Sequence, residues 1–211
     1  MNKVFDHISD DQRGRLPHDR KQPSDTQALW ITTLFVQFRF SRSGNHGHSE
    51  HALEDIRTLI TKSISSHSGD VVALADDAAL AVFSGNGERR RYAHDAVEAS
   101  EAIMMGISKI NRERLAQDLA SLRVAVGLDA GRLKATSCPR HPALDPSLDP
   151  FFRRARHLSD LNYQTPFPAF FASREVVDSL DYDGRYGIQN LGDVFVDGQI
   201  APLVVYAILN R

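Results

Sequence analysis

Val71–Phe83 reads VVALADDAALAVF, two short apolar runs on either side of Asp76-Asp77. Apolar runs of this length split by a polar pair predict a β-hairpin with both carboxylates at its tip. Two readings of the tip stay open. Asp is a common turn residue, and paired carboxylates can also hold a divalent cation.

On the N-terminal side, Leu53, Ile56, Leu59, Ile60 and Ile64 recur at helical spacing, which predicts an amphipathic helix over 50–66. Ser68-Gly69-Asp70 ends it and leads into the hairpin. The loop SRSGNHGHSEH precedes this helix, and before it Leu29–Phe40, LWITTLFVQFRF, is aromatic and β-branched. It predicts a central strand in which Gln37 and Arg39 are odd polar positions. On the C-terminal side, Gly85-Asn86-Gly87 closes the hairpin. A long helix is expected over 89–114, with Ala93, Ala96, Val97, Ile103, Met104, Ile107 and Ile110 as its buried stripe. Leu122–Leu128 reads as a strand that Asp129-Ala130-Gly131 should turn into another, Arg132–Thr136. Ser137–Pro150 holds Pro139, Pro142, Pro146 and Pro150 and is expected to be an arm without regular structure. A helix over 151–163, a strand over 167–172, and a helix capped by Ser173 and ending near Leu180 follow. Gly187–Gly192 and Pro202–Leu209 read as strands flanking a turn at Asp197-Gly198. Residues 1–28 form a polar leader, and 29–211 a single domain in which helices cross over between strands of a largely antiparallel sheet, an α+β pattern.

Composition bounds the function. The 211 residues give ample length for one core, and a formal charge of −2 counts against a general nucleic-acid binder. The basic runs Arg89-Arg90-Arg91 and Arg153-Arg154-Ala155-Arg156 do not reverse that. A single cysteine, Cys138, excludes an internal disulfide framework and a multi-cysteine metal site. No apolar run approaches the roughly 18 residues that cross a bilayer, and MNKVFDHISDDQ lacks the apolar core of a secretory signal. The expectation is a cytoplasmic protein with neither membrane nor nucleic-acid partner.

The element order and five strings resemble the catalytic domain of the class III adenylate and guanylate cyclases. These are TTLFVQF at Thr32–Phe38, SHSGDVVALADDAALAVF at Ser66–Phe83, LRVAVGLDAGRL at Leu122–Leu133, FFRRARHL at Phe151–Leu158 and LGDVFVDGQIAPLVVYAI at Leu191–Ile208. The resemblance implies a ferredoxin-like nucleotide-cyclase fold, a head-to-tail dimer and nucleotide sites built from both chains. It also implies a chemistry in which two metal ions on two Asp side chains activate the ribose 3′-hydroxyl for attack on the α-phosphate. An Asn and an Arg from the partner chain then hold the ribose and the developing charge.

Position by position, this chain departs from that pattern. Gln37 stands at the first metal Asp, whereas Asp77 matches the second. Ala73 takes the place of the base-reading Lys, Arg153 that of the ribose Asn, and His157 that of the Arg four residues on. The Gly-Phe that lets backbone reach the phosphates is Phe40-Ser41, and the second base-reading position falls near Pro146, between Asp145 and Asp149. A neutral amide is a poor Mg²⁺ ligand. The resemblance therefore implies a degenerate, catalytically inactive cyclase-like domain acting in signal transduction as a homodimeric ligand-binding or protein-interaction module. The alternative is a divergent phosphorus–oxygen lyase that makes cAMP or cGMP from ATP or GTP with Mg²⁺ or Mn²⁺. Both halves of the family's shared site are altered, so a heterodimer with an intact cyclase should spoil both sites rather than complete one.

Single features keep two readings each. His46, His48 and His51 could bind Zn²⁺ or Ni²⁺ or form a solvated loop. Arg153, Arg154, Arg156 and His157 could form an anion site or an exposed helix face.

Overall fold

The structure, a computed structural model, describes residues 28–41, 50–84, 88–134, 148–165, 169–180, 184–196 and 198–210. The polar leader, His46, His48 and most of the proline-rich arm lie outside them. The order is β1 (Ala28–Phe40), α1 (Glu50–Ser66), β2 (Asp70–Leu74), β3 (Ala78–Ser84), α2 (Arg89–Ala116), β4 (Leu122–Lys134) and α3 (Asp149–Tyr163). There follow β5 (Ala169–Ser173), α4 (Arg174–Val177), β6 (Tyr186–Val194) and β7 (Leu203–Asn210). The seven strands form one sheet, β2-β3-β1-β4-β5-β7-β6, antiparallel at every pairing except β4–β5. Its first half, βαββαβ with β1 inside and α1 and α2 crossing over, is the ferredoxin-like arrangement the sequence led us to expect.

The period-two side-chain alternation of β1 divides the molecule. Leu34, Val36 and Phe38 are fully buried on one face, in a core shared with Ile56, Ile60 and Ile64 of α1 and with Ala93, Ala96, Val97, Ile103 and Ile107 of α2. Each such large side chain contributes about 1.5–3 kcal/mol on burial. The alternate residues Thr33 and Gln37 face α3 on the opposite side. A second cluster there joins Leu158 of α3 to Phe171, Val205 and Ala207. No helix among the described residues is long and apolar enough to cross a membrane.

The structure corrects one expectation outright. The chain does not turn at Asp129-Ala130-Gly131: β4 runs unbroken and pairs with β1 from Ala28↔Lys134 to Phe40↔Leu122. Those turn-forming residues serve burial instead. The Asp129 carboxylate is sealed inside, and Gly131 lies under the Phe151 ring, 2.5 Å from where a Cβ would stand. Two boundaries also shift. The helix after the arm begins at Asp149, with Pro150 at its start, where a missing N–H costs nothing. Ser173 caps α4 by position but makes no side-chain cap bond, and the α-helical part closes at Val177 before turns carry on to Leu180.

Candidate functional site

The hairpin tip is held by backbone. Ala75 N–H donates to Ala78 O at 2.8 Å, and Phe38 N–H donates to Asp77 O at 2.9 Å, which pins the turn against β1. Both carboxylates project outward and both meet guanidinium groups. Asp77 pairs with Arg39 at 3.4 Å, and Asp76 pairs with Arg57, whose side chain is only 25% exposed because its stem lies along α1. Arg57 also lies 3.8 Å from Glu54. Arg39 and Arg123 both approach the Tyr163 ring, at 5.6 and 4.6 Å, and Arg123 donates to Thr165 O at 2.6 Å.

Gln37, buried at 7% exposure, donates its side-chain amide to Asp160 on α3. It thereby ties β1 to the helix that carries Arg153 and His157. The donor set at this end of the sheet does not fit the two-metal arrangement of the cyclases. Two hard cations require several anionic oxygens in a close octahedral array. Here Asp77 and Asp76 each already face a guanidinium group, and the neighbouring position offers a neutral amide whose nitrogen is bonded to the Asp160 carboxylate. The described residues contain no group of three or more His, Cys, Asp or Glu that could hold a metal ion. Asp76-Asp77 is thus a turn whose charges are matched from within.

The other positions singled out in the sequence lie apart from the tip. Arg153 is exposed on α3, bonded to Asp149 at 2.9 Å, with its guanidinium beside Gly198 of the β6–β7 hairpin. His157 is half-buried one turn later, and Ala73 is exposed at the bulge in β2. No bond among the described residues joins Arg153 or His157 to Asp77. His51 falls in the first turn of α1. Sequence reasoning missed Arg57 and Asp160. Arg57 had a signal, a charge set inside the apolar arc of α1 between Ile56 and Leu59. Asp160 had only its place one helical turn beyond His157.

What sets α3 on the sheet is also buried chemistry. Arg154 Nε donates to Asp129 Oδ2 at 2.7 Å, with its guanidinium 4.8 Å from the Phe151 ring centre. Burial drives the Asp129 carboxyl up to about 6, against the lowering pull of Arg154 and Ser173; Glu175 adds a small push upward. The Ser173 hydroxyl faces this carboxylate without closing a hydrogen bond of ordinary geometry, and Asp129 Oδ1 lacks a partner. Thr33 Oγ1 donates to Asp129 O at 3.2 Å. Gly127 admits the helix backbone so closely that a Cβ there would stand 2.0 Å from Ala155 O.

No protein-family model matches the sequence, and no curated protein matches it significantly. The fold does match solved structures. The adenylyl cyclase CyaB from P. aeruginosa superposes with a TM-score of 0.62 at 15% identity, covering 88% of this chain and 96% of that one. The catalytic core of a rhodopsin-guanylyl cyclase with converted specificity, solved in complex with ATPαS, gives 0.62 at 16% identity, over 87% and 97%. The dimeric guanylyl cyclase domain of the RhoGC fusion protein from the aquatic fungus Blastocladiella emersonii gives 0.61 at 14%, over 87% and 97%. Identity this low speaks for backbone and not for chemistry. The chain has the α+β fold of the adenylyl and guanylyl cyclase catalytic domains.

Proposed function

We propose that this chain is a catalytically inactive cyclase-like domain that serves signalling as a homodimeric binding module, taking a small ligand or a protein partner. The observation that carries this reading is the engagement of the family's cation ligands: Asp77 is paired with Arg39, and Gln37 is turned to Asp160. Removing one preorganised transition-state group typically costs on the order of 10²–10³ in rate. Here Gln37, Arg153 and His157 all depart from the pattern at once. Ala73, Asp77, Arg153 and His157 then remain as contacts for a bound ligand rather than as catalytic groups. Incubation with ATP or GTP and Mn²⁺ should yield no cyclic nucleotide above background.

Support for the homodimer comes from the β6–β7 hairpin. Leu191, Phe195 and Ile200 are exposed there by 45%, 74% and 103%. Three large apolar side chains on one protruding hairpin are a costly surface unless something covers them. The RhoGC domain, of the same fold, is described as a non-canonical dimer. Phe195→Glu combined with Ile200→Glu should weaken self-association at least about tenfold in sedimentation equilibrium, since each places an ion in an apolar contact. Circular dichroism should stay unchanged, because neither side chain contributes to the core. Self-association as tight as that of the parent would remove this hairpin from the interface.

A further inference from the structure

We infer that the hairpin tip carries its own resident cations, the guanidinium groups of Arg39 and Arg57, so that a ligand taken at this tip binds without a divalent metal ion. This deepens the binding reading above by naming the ligand class: anions or neutral molecules free of bound Mg²⁺ or Mn²⁺.

Position, not pairing strength, carries the inference. Exposed ion pairs are worth little to stability, and Arg39–Asp77 is exposed on both sides, at 58% and 57%. What matters is where the charges are anchored. Arg39 lies two residues beyond Gln37, on the same face of β1. The bond from Phe38 N–H to Asp77 O, at 2.9 Å, holds the tip beside that strand. Arg39 is therefore rooted beside Asp77, and its guanidinium stands 3.4 Å from that carboxylate. Arg57 projects from a helix seated by the fully buried Ile56, Ile60 and Ile64, its side chain is only 25% exposed, and its head reaches Asp76. A dication approaching either carboxylate meets a fixed positive charge. At position 37 it finds a neutral amide, and the nearby Asp160 carboxylate is already engaged by that amide's nitrogen.

The inference predicts a gain of function. Gln37→Asp combined with Arg39→Ala returns an anion and removes the competing cation, a change of two unit charges within a few ångströms of a bound ion. Against a dication at about 4 Å, this should tighten Mn²⁺ binding about a thousand-fold even at water-like screening. The probe is Mn²⁺ alone, followed by electron paramagnetic resonance or water-proton relaxation on the full chain, with circular dichroism to confirm folding. The parent should hold no Mn²⁺ at stoichiometric concentrations, the double variant should gain a site, and adding Asp77→Ala should abolish it. Two results would overturn the inference: a parent that binds one Mn²⁺ per chain and loses it with Asp77→Ala, or a folded double variant that binds no better than the parent. Should the double variant fail to fold, Arg39→Ala alone decides between the same outcomes with a smaller gain. Metal binding by the parent without turnover would defeat this inference and leave the non-catalytic reading standing. Turnover would defeat that reading instead.

Discussion

Arg154→Met should destabilise the protein by about 3–5 kcal/mol at pH 8 and by much less at pH 5, as read from urea denaturation at the two pH values. The substitution keeps an unbranched apolar stem and removes the guanidinium that meets both Asp129 and the Phe151 ring. At pH 8 it strands the Asp129 carboxylate, which is fully buried and already has one oxygen without a partner. The sign follows from linkage. Asp129 titrates at about 6 in the folded protein against 3.8 as its ordinary value, so the folded state binds the extra proton between those values. Its contribution to stability is fully present below the unfolded value and is lost as pH rises through about 6. Near pH 5 the acid is largely neutral, and Arg154 has less to compensate. Arg154→Lys, which keeps a charge but not the Nε bond, should fall between. An equal loss at both pH values would mean that Arg154 acts through packing alone.

Gly127→Ala should be the most damaging single methyl in the molecule. Its Cβ would stand 2.0 Å from Ala155 O and 2.5 Å from Ser159 N, both main-chain atoms of α3, which no rotamer change can move. The helix would have to lift off the sheet. Lifting it breaks the bond of Ser159 Oγ to Ala125 O (3.1 Å), that of Val126 N–H to Asn162 Oδ1 (2.9 Å), and the Arg154–Asp129 pair. We expect a loss above about 4 kcal/mol, beyond the usual 1–3 for overpacking. Gly131→Ala, four residues along on the same face, should cost only about 1–3 kcal/mol, because its nearest obstacle at 2.5 Å is the Phe151 ring, which can swing. Thermal denaturation of the two variants separates them. Equal, small losses would show that α3 is not seated closely enough on the sheet to exclude a side chain at position 127.

The strands and helices were legible because their signals are local. The apolar alternation of β1 and the spacing of Leu53, Ile56 and Ile60 report directly on which face is buried, and the hairpin at Asp76-Asp77 lies where its two apolar runs put it. Asp129-Ala130-Gly131 misled for a physical reason. Asp and Gly favour turns by their local backbone chemistry, but here tertiary contacts with α3 use them inside a straight strand. Glu101 is a smaller instance, a charge on the buried side of α2 that approaches Arg185 from 84 residues away, at 3.5 Å. At the tip, Gln37 and Asp77 were visible as departures from and matches to a pattern. What occupies them was not, because Arg57 and Asp160 reach the tip from other elements, and nothing in a one-dimensional spacing encodes where a long side chain ends.

The central claim is a cyclase fold in which cation-assisted chemistry at Asp77 has lapsed. Its most direct test is cyclic-nucleotide formation by the purified chain with ATP or GTP and Mn²⁺, beside an Asp77→Ala control. The account predicts cAMP and cGMP at background in both proteins. Turnover by the parent that Asp77→Ala abolishes would contradict it.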